Sequence, residues 1–223
     1  MNIRTLCLLL LCAATFGACK ETATSPTADA TLAEIFPLKV GNEYNYHLTF
    51  YNSDGSIRTD TTQNVLVRSE QSVLGHPAFV GSVNGDTSGS KLFYYDGTSD
   101  LYRADSYGAT YRIEKVLHSP MLIDQPFALS DTTYPDGSVY KTRLVLRSKN
   151  ESVTVPARTF SCYHYDRIGL SKAPTSSTFD TTGISKLFFA PGVGLVLEKD
   201  YTSTTNNVQR PIGKFELTSY IVK

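Results

Sequence analysis

Alternation of apolar and polar residues, interrupted at intervals by turn chemistry, constrains this chain more than any other feature. Tyr44, Tyr46, Leu48 and Phe50 share one parity, while Asn45, His47 and Thr49 share the other. A period of two marks a half-buried strand. Asn52-Ser53-Asp54-Gly55 then supplies residues that tolerate the positive φ of a tight hairpin, and Thr59–Ser69 returns. Ala78–Val83, Lys91–Tyr95, Leu101–Asp105 and Thr110–Leu117 follow as short strands. In Tyr140–Ser148 the parity sends Tyr140, Thr142, Leu144 and Leu146 inward and Lys141, Arg143 and Arg147 outward. Ser152–Val155, Thr159–Arg167, Ile184–Phe189, Val193–Lys199 and Lys214–Val222 complete the set. No long window carries apolar residues at i, i+3, i+4 and i+7, and only Ala30–Phe36 suits a short turn of helix. The pattern predicts an all-β fold, a curved antiparallel sheet or open β-barrel of roughly ten to twelve strands joined mainly by hairpins.

Two stretches depart from this rhythm. His118–Gly137 contains Ser119-Pro120, Gln125-Pro126 and Tyr134-Pro135, and reads as a long surface crossover between two halves of the sheet. Pro191 and Gly192 suit the centre of a type II turn. Around that turn, Leu187 and Phe189 before it and Val193, Leu195 and Leu197 after it are expected to form core-facing rows.

The amino terminus has a different logic. Met1–Thr5 carries one charge, Arg4; Leu6–Ala14 is almost wholly apolar; Thr15-Phe16-Gly17-Ala18 leads into Cys19. This is the order of regions in a bacterial export signal. The apolar run is about half the ~20 residues that a membrane-spanning helix needs. Small residues before a cysteine resemble the lipobox of bacterial lipoproteins, although Phe16 stands where that pattern prefers Leu. The resemblance implies cleavage after Ala18 and acylation of Cys19 with palmitate-type chains, an anchor worth ~0.8 kcal/mol per buried methylene. In that class an Asp after the cysteine often signals inner-membrane retention, and here Lys20 stands in its place. The outer membrane is the expected address, facing the periplasm or the cell surface. Residues 1–18 are therefore read as signal peptide, 19–34 as a lipidated flexible tether of small polar residues, and 35–223 as a single β domain.

Charge and cysteine content narrow the partners. The chain has 21 basic and 21 acidic residues, and loss of the signal removes only Arg4. A near-neutral chain lacks the basic surface that a phosphate backbone demands, so nucleic acid is not an expected partner. Cys7 and Cys12 leave with the signal, which leaves Cys162 as the one thiol of the domain. An exported domain without a disulfide must rely on burial, and Cys162, on the parity of Phe160, is expected to be a small buried hydrophobe.

Reactive sequence patterns do not occur. The mature chain has no His-Glu-x-x-His, Cys-x-x-Cys, Gly-x-Ser-x-Gly or phosphate-loop sequence, and His47, His76, His118 and His164 lie far apart. Asp96-Gly97-Thr98-Ser99-Asp100 lacks the spaced acids of a calcium loop and reads as a β-turn. Lys141, Arg143, Arg147 and Lys149 read as a solvated outer face. No catalytic residue, metal ligand or cofactor is expected.

Ile35-Phe36-Pro37-Leu38-Lys39-Val40-Gly41-Asn42-Glu43-Tyr44-Asn45-Tyr46 resembles the opening of a family of secreted or lipid-anchored bacterial β-rich proteins of unassigned activity. Val155–Cys162, Phe189–Val196 and Glu216–Tyr220 resemble its later landmarks, with Tyr44 where that family usually carries Trp. The fold implied is a curved antiparallel sheet similar to the bacterial lipoprotein-carrier superfamily. On this reading the chain is an envelope lipoprotein, a non-enzymatic binding module for a hydrophobic or glycan-like ligand. The alternative is a scaffold that pairs with another envelope protein through a sheet edge.

Overall fold

A computed structural model describes residues 29–107, 110–203 and 209–223, with 87–90, 106 and 107 described by backbone alone. The expected Cys19 acylation site, the signal 1–18 and residues 19–28 lie outside the described residues. One short helix, α1 (Leu32–Ile35), precedes twelve strands: β1 (Glu43–Tyr51), β2 (Ile57–Val73), β3 (His76–Val83), β4 (Asp86–Asp96), β5 (Asp100–Tyr107), β6 (Thr110–His118), β7 (Pro126–Thr133), β8 (Val139–Val155), β9 (Arg158–Lys172), β10 (Asp180–Ala190), β11 (Gly194–Ser203) and β12 (Gln209–Ile221). They form one antiparallel sheet in the order β6-β5-β4-β3-β2-β1-β12-β11-β10-β9-β8-β7, curled into a nearly closed barrel.

The order explains the closure. Hairpins run outward in both directions from a central β1–β12 pair, which joins the two ends of the domain. The two edges, β6 and β7, then come round to face each other. Among the described residues no ladder hydrogen bond joins them; side chains clasp them instead. Asp100 on β5 accepts from His118 Nδ1 at 2.7 Å and from Lys115 Nζ at 2.9 Å. The His118 ring stacks on Phe127 of β7 at 3.8 Å between centroids, and Lys115 lies 5.1 Å from the same ring. Edge strands are normally blunted or covered, and here each edge shields the other.

Three details differ from the sequence reading. The stretch 118–137 is not an irregular crossover throughout, because it holds the edge strand β7, paired with β8 from Pro126 to Thr133. Proline is tolerated at the start of an edge strand, where no ladder donor is lost. Tyr140–Ser148 and Ser152–Val155 fuse into one long β8, whose register shifts at Leu146/Ser148 and Ser148/Glu151 absorb the interruption. Within it Leu144 and Leu146 are buried as expected, but Tyr140 is 50% exposed and meets Tyr134 edge-on.

The third difference concerns the tether, which was expected to reach residue 34. Leu32 and Ile35 are instead fully buried, and Ala30 N–H donates to the Tyr163 hydroxyl at 2.8 Å. A capping box sets the start of α1: the Thr31 hydroxyl accepts from Glu34 N–H while the Glu34 carboxylate accepts from Thr31 N–H at 2.7 Å. The segment from Ala30 onward thus belongs to the packed domain.

Pro191-Gly192 forms the expected turn, with Val193 N–H donating to Ala190 C=O at 3.0 Å and Gly192 at φ +76°. The same turn docks α1, because Gly192 N–H donates to Glu34 C=O at 2.7 Å. An added Cβ at Gly192 would meet nothing within 4 Å. Gly192→Val should therefore cost ~1–2 kcal/mol through backbone strain alone. Urea unfolding followed by circular dichroism measures this, and an unchanged midpoint would mean that the turn does not need a left-handed residue.

The row after the turn is not continuous. Phe189 lies opposite Leu195 and Phe188 opposite Leu197, so Val196 is an extra residue in a β-bulge. Leu195 consequently packs with Leu187, Phe189 and the α1 segment. Val196 and Leu197 join a separate core with Phe188, Val153, Phe160 and Leu217. That second core is closed by the β8–β9 hairpin tip, where Ala157 N–H donates to Leu217 C=O at 3.1 Å.

Candidate functional site

The curled sheet leaves a cavity of about 320 Å³ along its inner face. The parity of the strands decides its lining. Tyr44 and Tyr46 of β1 and Val65 and Val67 of β2 project into it, as do Phe79 and Val83 of β3 and Phe93 of β4. Leu187 and Phe189 of β10 and Leu195 of β11 form the opposite wall.

One end is stoppered by the chain that follows α1. Phe36, Pro37 and Leu38 line the cavity there, with the Phe36 ring 5.6 Å from Phe93 and 5.9 Å from Phe189. Tyr95 fixes the stopper: its hydroxyl donates to Phe36 C=O and accepts from Leu38 N–H at 3.2 Å. Burial pushes the Tyr95 phenol up to about 12, so it keeps its proton and its donor role. Tyr46 donates to Leu195 C=O at 3.0 Å, tying β1 to β11 across the cavity wall.

A few polar groups reach the same space: Gln63, Lys91, Arg103, Arg167 and Glu198. Most are paired. Arg167 Nη2 sits 3.1 Å from Glu198 Oε1 and donates to Ser185 Oγ at 3.1 Å. Ser185 in turn donates to Asp200 at 2.5 Å. Arg103 holds two carboxylates, Glu114 at 2.7 Å and Asp105 at 3.2 Å. Burial pushes the Glu198 carboxyl up to about 7; the Arg167 charge opposes that rise and nearby Asp200 adds to it. The cavity is therefore an apolar chamber with a short polar strip, and its one lining carboxyl changes protonation near neutrality.

Glu198 was not visible as a lining residue by alternation, since strict parity puts it opposite Leu195 and Leu197. The bulge at Val196 turns it inward, opposite Phe215 of β12. A signal did exist: Leu195-Val196-Leu197 is three apolar residues in a row within a strand, which a half-buried strand does not need. Lys91 and Arg167 were legible, because they share parity with Phe93 and with Tyr163 and Tyr165.

The other residues singled out in the sequence do not converge. Cys162 is fully buried, and burial pushes its thiol up to about 12, as suits an inert core residue. His47 meets Asp60, His76 stacks on Tyr94 at 4.9 Å, and His118 belongs to the edge clasp. His164 lies between Glu151 at 2.7 Å and Asp166 at 3.2 Å, stacked on Phe188. Among the described residues no group of three His, Cys, Asp or Glu side chains is placed to hold a metal ion. The basic series is spent on local partners: Arg143 on Asp131, Arg147 on Asp124 and Asp166, Lys149 on Asp29, and Lys141 over the Phe179 ring. Asp96–Asp100 is the β4–β5 turn, with Gly97 at φ +65°.

No family model matches the chain, and no curated protein matches it. Among solved structures, a candidate lipoprotein from Parabacteroides distasonis aligns over 86% of this chain and 100% of its own, with 17% identity and a TM-score of 0.51. A candidate exported protein with YmcC-like fold from Bacteroides fragilis aligns over 86% of this chain and 99% of its own, with 13% identity and a TM-score of 0.49. At 17% identity, what the chain shares with the Parabacteroides protein is the fold.

Proposed function

We propose that this chain is a lipid-anchored protein of the bacterial envelope whose barrel binds an apolar small molecule without transforming it. The observation that carries the reading is the apolar cavity of about 320 Å³, within the size range of ligand sites and provided with the few polar groups such sites use for orientation. A lining dominated by aliphatic and aromatic side chains, with most polar groups already paired, favours a hydrophobic ligand over a glycan. The mutual clasp of β6 and β7 counts against the rival role as a scaffold pairing through a free sheet edge. The anchor rests on the signal sequence and Cys19, and agrees with the description of the Parabacteroides neighbour as a candidate lipoprotein. Cys19 lies ten residues before Asp29, so the linking chain reaches at most ~35 Å, and the domain would work close to the outer-membrane surface.

Two measurements test the two halves. Cys19→Ala should move the protein from the membrane fraction to the soluble fraction and abolish labelling by a fatty-acid probe. The soluble Cys19→Ala protein should bind the neutral apolar dye N-phenyl-1-naphthylamine saturably, with enhanced fluorescence. Adding Val65→Trp, which fills the chamber, should remove that binding while the circular dichroism spectrum stays β. Undiminished dye binding in the filled variant would place the dye elsewhere and defeat the cavity assignment.

A further inference from the structure

The unpaired polar groups of the cavity specify which end-group its ligand carries. Resting on the binding role proposed above, we infer that the ligand is an anionic single-chain amphiphile, a long-chain carboxylate or its phosphate-bearing equivalent, with its head at Lys91 and its tail against Phe36 and Phe189.

The argument follows from charge pairing. Of the three cations that line the chamber, Arg103 is ion-paired with Glu114 and Asp105, although its buried Nε–H makes no hydrogen bond, and Arg167 faces Glu198. Lys91 lines the same chamber but has no hydrogen-bond or ion-pair partner among the described residues. Asp105, opposite Lys91 in the β4–β5 register, has its carboxylate engaged by Arg103 at 3.2 Å. The Lys91 side chain is exposed as well as cavity-lining, which places it where the chamber opens to water. Gln63 of β2 also lines the chamber and has no hydrogen-bond partner among the described residues, so its amide N–H groups are available. The only carboxyl among the lining residues is Glu198, and it is held by Arg167. The opening therefore offers Lys91 as an unspent cation, and the lining holds no unspent carboxylate to take an ammonium head.

The floor has the complementary chemistry. Phe36 and Phe189 meet the chamber with no polar atom, and the nearby Tyr95 hydroxyl is occupied by Phe36 C=O and Leu38 N–H. A head that stays charged must remain at the wet end, because stripping its water without full pairing is costly. An apolar tail gains by entering the dry end. Anionic head and apolar tail thus match the two ends in one orientation only.

Competition against bound N-phenyl-1-naphthylamine tests this with the full chain carrying Cys19→Ala. Dodecanoate, dodecanol and dodecylamine, each below its aggregation concentration at pH 8, share a tail and differ in the head. A charge-assisted contact at Lys91 should make dodecanoate about tenfold more potent than dodecanol, and dodecylamine the weakest. Lys91→Gln should erase the advantage of the acid while leaving dodecanol unchanged, and Lys91→Glu should reverse the order of acid and amine. Lys91 has no structural partner, so both variants should melt like the parent. Equal potency of acid and alcohol in the parent, or an acid preference that survives Lys91→Glu, would overturn the inference while leaving apolar binding intact. Failure of the dye itself to bind would instead overturn the cavity assignment on which the inference rests.

Discussion

Phe189→Ala should lower the unfolding free energy by ~3–5 kcal/mol, the usual cost of truncating a large aromatic side chain in a core. Phe189 is 5% exposed and sits where three elements meet. Its ring is 5.9 Å from Phe36 of the stopper and 6.0 Å, edge-on, from Tyr165 of β9. Removing it deletes burial and two aromatic contacts, and loosens the segment that closes the cavity. Leu195, directly opposite on β11, supplies the control. It is only half-buried and already faces open space, so Leu195→Ala opens no new enclosed void. Its cost should be nearer 1–2 kcal/mol, from lost burial alone. Because the chain has no Trp, far-ultraviolet circular dichroism is the suitable probe of urea unfolding. A larger loss from Leu195→Ala than from Phe189→Ala would mean that the register around the Val196 bulge is wrong.

How much of this could be read beforehand depends on whether a feature is local. Hairpins are local: a turn signal and two alternating runs place β1 with β2 and β4 with β5, and the class of fold follows. The β1–β12 pairing that curls the sheet is not local, since its partners lie more than 160 residues apart, as Glu43 and Ile221 do. Nothing in either segment names the other. β7 was obscured by Pro126, which is a breaker in a central strand but acceptable at the edge that β7 occupies. The inward turn of Glu198 was hidden for a third reason. A bulge shifts parity by one residue, so every face assignment downstream of Val196 inverts. The apolar part of the cavity was therefore legible from Tyr44, Tyr46 and Val65, whereas its titrating group was not.

That group should leave a signature in the pH dependence of stability. The Glu198 carboxyl stands at about 7 in the fold against an ordinary value of 4.5, because burial penalises its charged form more than Arg167 compensates. The folded state thus holds a proton that the unfolded chain releases between those values. The stabilisation is fully present below about 4.5 and is lost as the pH rises to about 7; above that, the fold carries a buried carboxylate. Glu198→Gln keeps the shape and leaves an amide oxygen to accept from Arg167, but removes the charge. At pH 8 it should be more stable than the parent, by something on the order of 1–3 kcal/mol, and near pH 4 the two should converge. His164 must be separated from this effect. Burial of its ring lowers its proton affinity, but the hydrogen bonds it donates to Asp166 and Glu151 outweigh that, so its value is raised from 6.5. A raised histidine contributes stability that is present below 6.5 and lost at higher pH, in the same sense as Glu198 but in a later window. The difference between parent and Glu198→Gln cancels the His164 contribution and should change mainly between pH 4.5 and 7. A variant that is instead less stable than the parent at pH 8 would show that the Glu198 carboxylate gains more from Arg167 than its burial costs, and that it works as an ordinary ion-pair partner. In that event the polar strip of the cavity would be a closed structural pair rather than a group poised to gain or lose a proton.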